Sequence, residues 1–327
     1  QAELVRLATT LLHSINGAAN DAKAKANSAL PLYVLTPLTM PDGRNIHYRV
    51  AGAPRGRPFL LLPSGQGFIR WTDEAELQMA RRDLQMIVPV RAGYGPSSSC
   101  PTRANIYDTA ADDVAQLLGY LGVKSCPVVA ICDDIKLALH TEQRHPGIFT
   151  AIVGASATMP LSTPAQFARL TKFVRFIQSN ATFAPRTLPY VSLLFFHMAR
   201  RLGTRRFLET MMGNCAADLK ALQDPGIAGP LEASTEIVIT QHFMAHQSWS
   251  REIVEFAKPW AHLLLGTRTP ITLLAGVDDP FSPIVTVREY CMAKPAIILS
   301  EIPDAGQTLV YTHHNMVLDA VERAMQP

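Results

Sequence analysis

The chain is short of cysteine, of net charge and of long apolar runs, and each shortage excludes something. Its five cysteines (Cys100, Cys126, Cys132, Cys215 and Cys291) are odd in number, widely spaced and include no CxxC pair. That pattern argues against a disulfide framework and against a metal site, and for a reducing compartment. The net charge of +3 is too small to argue for nucleic acid or an anionic membrane as a direct partner. No stretch approaches the roughly 18 uncharged apolar residues of a membrane span. The first residues lack the basic, apolar and small-residue order of a signal peptide. The expectation is a cytoplasmic protein with no membrane contact. The Gly-rich turn "RAGYG" stands without a Walker or dinucleotide fingerprint, so no nucleotide or other cofactor is expected.

What is present is a globular composition, 48% hydrophobic and 17% charged over 327 residues, enough to bury a full core. The rhythm from about residue 33 is α/β. "RNIHYRVAG" alternates like a strand entered through the turn "PDGR". Apolar strands such as "PFLLLPSG", "LQMIVPV", "CPVVAIC" and "FTAIVGAS" then alternate with helical stretches such as "TDEAELQMARRD" and "ANIYDTAADDVAQLLGYLGV". Continuous apolar strands separated by helices predict a parallel sheet covered on both faces. Between residues 160 and 262 the strands stop and helix-like segments rich in Phe, Leu and Met take over. These predict a helical lid inserted into a sheet domain made of residues 33–159 and 263–327. Ahead of it, Leu4, Leu7, Leu11 and Leu12 recur at helical spacing over residues 1–15, and 16–32 reads as a small-residue linker.

The order of these motifs resembles the α/β-hydrolase fold, a mostly parallel sheet flanked by helices. "VPVRAGYGPSS" is similar to that family's Asp-Arg-Pro-Gly-Tyr-Gly-x-Ser loop, with Val90 in place of the Asp. "VVAICDD…RHPGIFTAIV" matches the elbow strand and the helix after it, and "LLAGVDDPFSP" the stretch that usually carries the acid. The resemblance implies a triad in the chain order nucleophile, acid, histidine. The equivalent positions here are Cys132, Asp279 (with Asp278 beside it) and Gln307.

Chemistry at those positions reads as impaired. Asp133 and Asp134 next to Cys132 disfavour the thiolate, the only form that attacks, and Gln307 cannot take a proton as an imidazole does. The elbow turn wants small residues two before and two after the nucleophile. Ala130 suits it, whereas Asp134 is expected to crowd the turn. His313 and His314, six and seven residues past Gln307, are candidate substitutes for the missing base; alternatively they start the last helix near the surface, with Thr312 as its cap. The histidines His197, His242 and His246 read as pocket or packing residues. The backbone N–H of Asp133 and one from Ser64 to Gln66 would form an oxyanion site able to hold a carbonyl without turning it over. A largely apolar small molecule is expected at Ser64, Gly65, Gln66, Cys132, Asp133 and Gln307. The alternatives for Asp279 are pairing with an arginine or capping the next helix; both roles are open from sequence.

"QAELVRLATTLL" is similar to the closing helix of a LuxR-type helix-turn-helix domain. That resemblance implies a homodimeric transcription regulator that meets DNA only through an upstream domain outside this chain, with the hydrolase-like part as its ligand-sensing effector. The competing expectations are a Cys-nucleophile hydrolase or acyltransferase acting on small esters, and a pure dimerisation module with a filled pocket.

Overall fold

A computed structural model describes residues 35–65, 67–237 and 245–326. The segments expected as an N-terminal helix (1–15) and linker (16–32), and the residues Gln66 and His242, lie outside them.

Eight strands form one sheet in the order β1-β2-β4-β3-β5-β6-β7-β8. Strands β1 (Thr36–Thr39), β2 (Asn45–Gly52), β3 (Arg57–Leu62) and β4 (Leu84–Val90) open the chain, and β5 (Cys126–Ile131), β6 (Phe149–Ala155), β7 (Ile271–Gly276) and β8 (Ile298–Ile302) complete it. The β1–β2 and β2–β4 pairs are antiparallel and every other pair is parallel. Residues of the central strand β5 are buried without exception, as its unbroken apolar run required: a parallel strand covered on both faces has no solvent side to mark with polar residues.

The connecting helices begin where their caps put them. Thr72 accepts from the Ala75 N–H to start α1 (Asp73–Arg81), whose first turn carries Asp73, Glu74 and Glu76 against the positive end of the helix dipole. Asn105 accepts from the N–H groups of Tyr107 and Asp108 to start α2 (Ile106–Tyr120), which buries Ile106, Ala110, Val114, Leu117 and Leu118 on one stripe. Helix α3 (Asp134–Arg144) follows β5 directly and buries the whole run from Asp134 to Leu139.

Between β6 and β7 the chain forms the expected block of helices: α4 (Pro164–Ala168), α5 (Lys172–Phe183), α6 (Leu188–Leu202), α7 (Thr204–Met212), α8 (Ala216–Ala221), α9 (Pro225–Thr235) and α10 (Ala245–Ala257). The next helix, α11 (Ala261–Gly266), straddles the boundary expected at 262 and packs against α3. Helices α12 (Ile284–Ala293), α13 (Leu309–Thr312) and α14 (His314–Ala324) complete the chain. Two buried apolar clusters cover the two faces of the sheet. A third, built on Ile177, Ala181, Leu188 and Ile253, holds α5, α6 and α10 to one another.

Helix α10 is the insertion's main tie to the sheet domain. Lys136 of α3 donates to the carbonyls of Glu255, Phe256 and Lys258 at its C-terminal end, where the helix leaves carbonyls without intrahelical partners. Arg251 donates to the carbonyls of Cys100, Pro101 and Ala104. Both cations therefore satisfy backbone acceptors that docking would otherwise leave short of water.

Candidate functional site

Cys132 sits where β5 hands over to α3, at φ 51°. A left-handed backbone is sterically costly for any residue with a Cβ, so it persists only where neighbours over-determine it. Here the Cys132 N–H donates to the Ala155 carbonyl on β6 at 3.2 Å, and the Cys132 carbonyl accepts from the Thr158 N–H at 3.0 Å. The sharp turn expected at the elbow is present.

Asp134 does not crowd that turn. Its side chain turns away toward the loop after β3, where it becomes the centre of a buried polar network. One carboxylate oxygen accepts the Ser64 N–H at 2.7 Å, and the other accepts from Arg91. Arg91 also donates to Glu252 on α10 at 3.2 Å, and the Tyr94 hydroxyl donates to the same Glu252 oxygen at 2.6 Å. Arg91 lies over the Tyr94 ring, 5.5 Å from its centroid. All four side chains are buried. Elbow, β4 loop and insertion are thus joined by one guanidinium between two carboxylates.

This network removes one candidate from the oxyanion expectation. The Ser64 N–H already serves Asp134, and the Ser64 hydroxyl donates to the Asp133 carboxylate at 2.7 Å. The Asp133 amide remains, at the N-terminus of α3 where helix geometry provides no acceptor, and in the stretch from Ser64 to Gln66 the second amide falls to Gly65, which lines the cavity, or to Gln66, outside the described residues.

The acid and base positions are also resolved. One oxygen of Asp279 accepts the Phe281 and Ser282 N–H groups at 2.8 and 3.3 Å; the other is buried and has no partner among the described residues. Asp279 therefore closes its own turn. It pairs with no arginine and does not cap α12, whose N-cap is Pro283. Gln307 is buried in the loop before α13. That loop is gripped by Asp218 of α8, which accepts the N–H groups of Gln307 and Thr308 and the Thr308 hydroxyl.

Above Cys132 lies a cavity of about 100 Å³. Its polar floor includes Ser64, Gly65, Cys132, Asp133 and Gln307, and its walls are largely apolar side chains of α5, α6, α7 and α10 together with Phe281. The five described residues expected to meet a ligand are therefore brought to one cavity, while Asp279 stands behind the lining. No histidine, lysine or arginine lines it among the described residues. His313 and His314 do not replace the missing base: the ring of His313 meets the Thr312 hydroxyl and that of His314 the Tyr311 carbonyl. Thr312 caps nothing; the residue at the N-cap of α14 is His313. His246 packs in the insertion against Phe196, and His197 is exposed.

Burial pushes the Cys132 thiol well above its ordinary range, and Asp279, Asp133, Asp134 and Asp218 push it further in the same direction. The thiol is held protonated at neutral pH. Burial likewise raises Asp279 to about 7, Glu252 to about 7 and Asp134 to about 6, the last two against the pull of Arg91. Because these carboxyls bind protons more tightly folded than unfolded, they stabilise the native state fully below about pH 4, and that contribution is lost as pH rises through 6 and 7. The urea midpoint is therefore expected to be higher at about pH 5.5 than at about pH 8, and Asp279→Asn, a neutral mimic of the protonated acid, should raise it more at the higher pH. A midpoint that climbs between those two pH values, in both proteins alike, would contradict this assignment.

Sequence reasoning missed Arg91, Tyr94, Glu252 and Asp218. The signal for Arg91 was available in Asp134, an acid where the turn favours a small residue; a buried acid needs a buried cation.

No family model matches the sequence. The structure is similar to an esterase from Thermogutta terrifontis (17% identity, TM-score 0.63, covering 88% of this chain and 97% of that one). It is also similar to an esterase from a Rhodococcus species (17%, 0.63, 89% and 98%) and a bromoperoxidase from Bacillus anthracis (16%, 0.61, 90% and 100%). The chain has the α/β-hydrolase fold. At such identities the likeness establishes the scaffold, and an α/β-hydrolase scaffold hosts many activities. Cys132 lies at the turn after β5, Asp279 in the turn after β7 and Gln307 in the loop after β8. Among the described residues, no helix is long and apolar enough to cross a membrane.

Proposed function

We propose that this chain is the ligand-sensing effector part of a LuxR-like transcription regulator, in which an α/β-hydrolase scaffold binds a small, largely apolar molecule without turning it over. One observation carries the reading: among the described residues the cavity over the elbow has no imidazole in its lining, and the thiol in its floor is held protonated. Without a base the nucleophile is not activated and a leaving group finds no proton donor. The resemblance of "QAELVRLATTLL" to the closing helix of a LuxR-type domain supplies the regulatory half. The chain then works as a homodimer, reaching DNA through an upstream domain. Occupancy acts by favouring one arrangement of the insertion over another, which requires different affinities for the two.

A second reading is favoured by the comparisons, which include esterases: a Cys-nucleophile hydrolase or acyltransferase using Cys132. The structural neighbours speak for it more than for the first; the electrostatics of the site speak against it. The deciding experiment is turnover of a panel of short acyl esters by the native chain beside Cys132→Ala. The binding reading expects no turnover above background in either protein, with intact esters raising the melting temperature. Turnover lost in the variant would establish the thiol enzyme and end the first reading.

A further inference from the structure

The cavity's charge balance speaks to the class of ligand, an inference that rests on the binding reading above. Six of its walls are aromatic: Phe173, Phe195, Phe207, Trp249, Phe256 and Phe281. Phe195 is stacked between Phe173 and Trp249, with centroids 5.7 and 5.6 Å away, and meets Phe207 edge-on at 5.2 Å. These rings therefore hold one another in fixed orientations. Phe173 is 38% exposed, so the ring set reaches from the elbow to the surface.

Beneath the rings the charges are of one sign. Asp133 lines the floor, while Asp134, Asp218 and Asp279 lie close enough to act on Cys132 as negative charges. The two buried cations nearby are both committed: Arg91 to Asp134 and Glu252, and Lys136, whose ammonium lies 6.0 Å from the Phe256 ring, to the carbonyls that end α10. Asp279 has a buried oxygen with no partner among the described residues, and no cationic side chain lines the cavity. An anion placed here would meet the Asp133 carboxylate, and Asp279 whenever it is ionised, across a poorly screened interior. A cation would meet carboxylates and the negative faces of aromatic rings.

We propose that the cavity above Cys132 selects a compact alkylammonium ligand, which supplies the positive charge that the site's carboxylates lack. The ammonium sits among the aromatic walls and the alkyl groups fill the apolar space. Ligands of equal shape that are neutral bind less tightly, and anionic ones least.

The test is calorimetric titration of the whole chain, at constant ionic strength and neutral pH, with three compounds sharing one quaternary centre: tetramethylammonium, neopentyl alcohol and pivalate. Tetramethylammonium is expected to bind at least about tenfold more tightly than neopentyl alcohol, a preference within the range of desolvated cation–π contacts, with pivalate weakest. Asp279→Asn should reduce tetramethylammonium affinity at least threefold and leave the alcohol within twofold. Pivalate binding as tightly as tetramethylammonium, or the alcohol within threefold of it, overturns the charge preference while the binding reading stands. Heat from none of the three overturns both. If Asp279→Asn fails to fold, the order among the three compounds on the native chain decides alone.

Discussion

Arg91→Met is expected to destabilise the chain by about 3–5 kcal/mol at pH 8, the range for removing one partner of a buried ion pair. The substitution keeps an apolar stem of similar length, so packing is largely preserved. What it removes is the one cation facing Asp134 and Glu252, both of which are buried. The loss should shrink toward about pH 5.5, because orphaned carboxylates escape their burial penalty by taking up protons. Arg91→Lys should recover only part of the stability: an ammonium is a point charge and cannot present the planar fork that reaches two carboxylates at once. Combining Arg91→Met with Asp134→Asn and Glu252→Gln should recover most of it, since no charge is then left buried. Urea denaturation at the two pH values measures all four proteins. A loss below about 1 kcal/mol at pH 8, the level of an ordinary surface ion pair, would mean that water reaches the network.

Pairing Cys132→Ser with Gln307→His is expected to create esterase activity. Both positions line the same cavity, the elbow turn is formed, and the unpartnered oxygen of Asp279 is available to accept an imidazole N–H. A positioned general base contributes about 10²–10⁴-fold. Hydrolysis of p-nitrophenyl acetate should therefore rise at least ~10²-fold over the native chain, while Cys132→Ser alone stays at background. A double variant that keeps its circular dichroism spectrum yet gains nothing would show that the three positions do not share triad geometry. The experiment also bears on the native protein: if one imidazole and one hydroxyl restore chemistry, then what the native site lacks is the proton carrier, and its pocket and acid are otherwise ready.

Much of the fold was legible because it rests on local periodicity and on order along the chain. Unbroken apolar runs such as "CPVVAI" report a strand covered on both faces, and their alternation with capped helices reports parallel crossovers. The elbow was legible for a related reason. A strand, one residue at positive φ and a helix must be contiguous, so Cys132 could be located by its neighbours alone. The place of Gln307, in the loop after the last strand, could likewise be read from its neighbours.

The roles of individual charges could not be read in this way. Asp134 looked like a steric fault, because a sequence shows the size of a side chain and not where it points. Its partners lie 43 residues away at Arg91 and 70 away at the Ser64 amide. The ion pair continues from Arg91 to Glu252, a further 161 residues along the chain. Asp279 kept several open roles for the same reason, until the turn showed one oxygen closing on its own backbone and the other left alone. The net charge of +3 concealed an acidic pocket floor, since a sum over the chain carries no position. The sequence by itself determined the scaffold and the turn at Cys132, because each is written in contiguous residues. Only the tertiary structure decided that the Ser64 amide is engaged, which carboxylates are paired and what charge lines the cavity, because electrostatic energy depends on distance and burial in space.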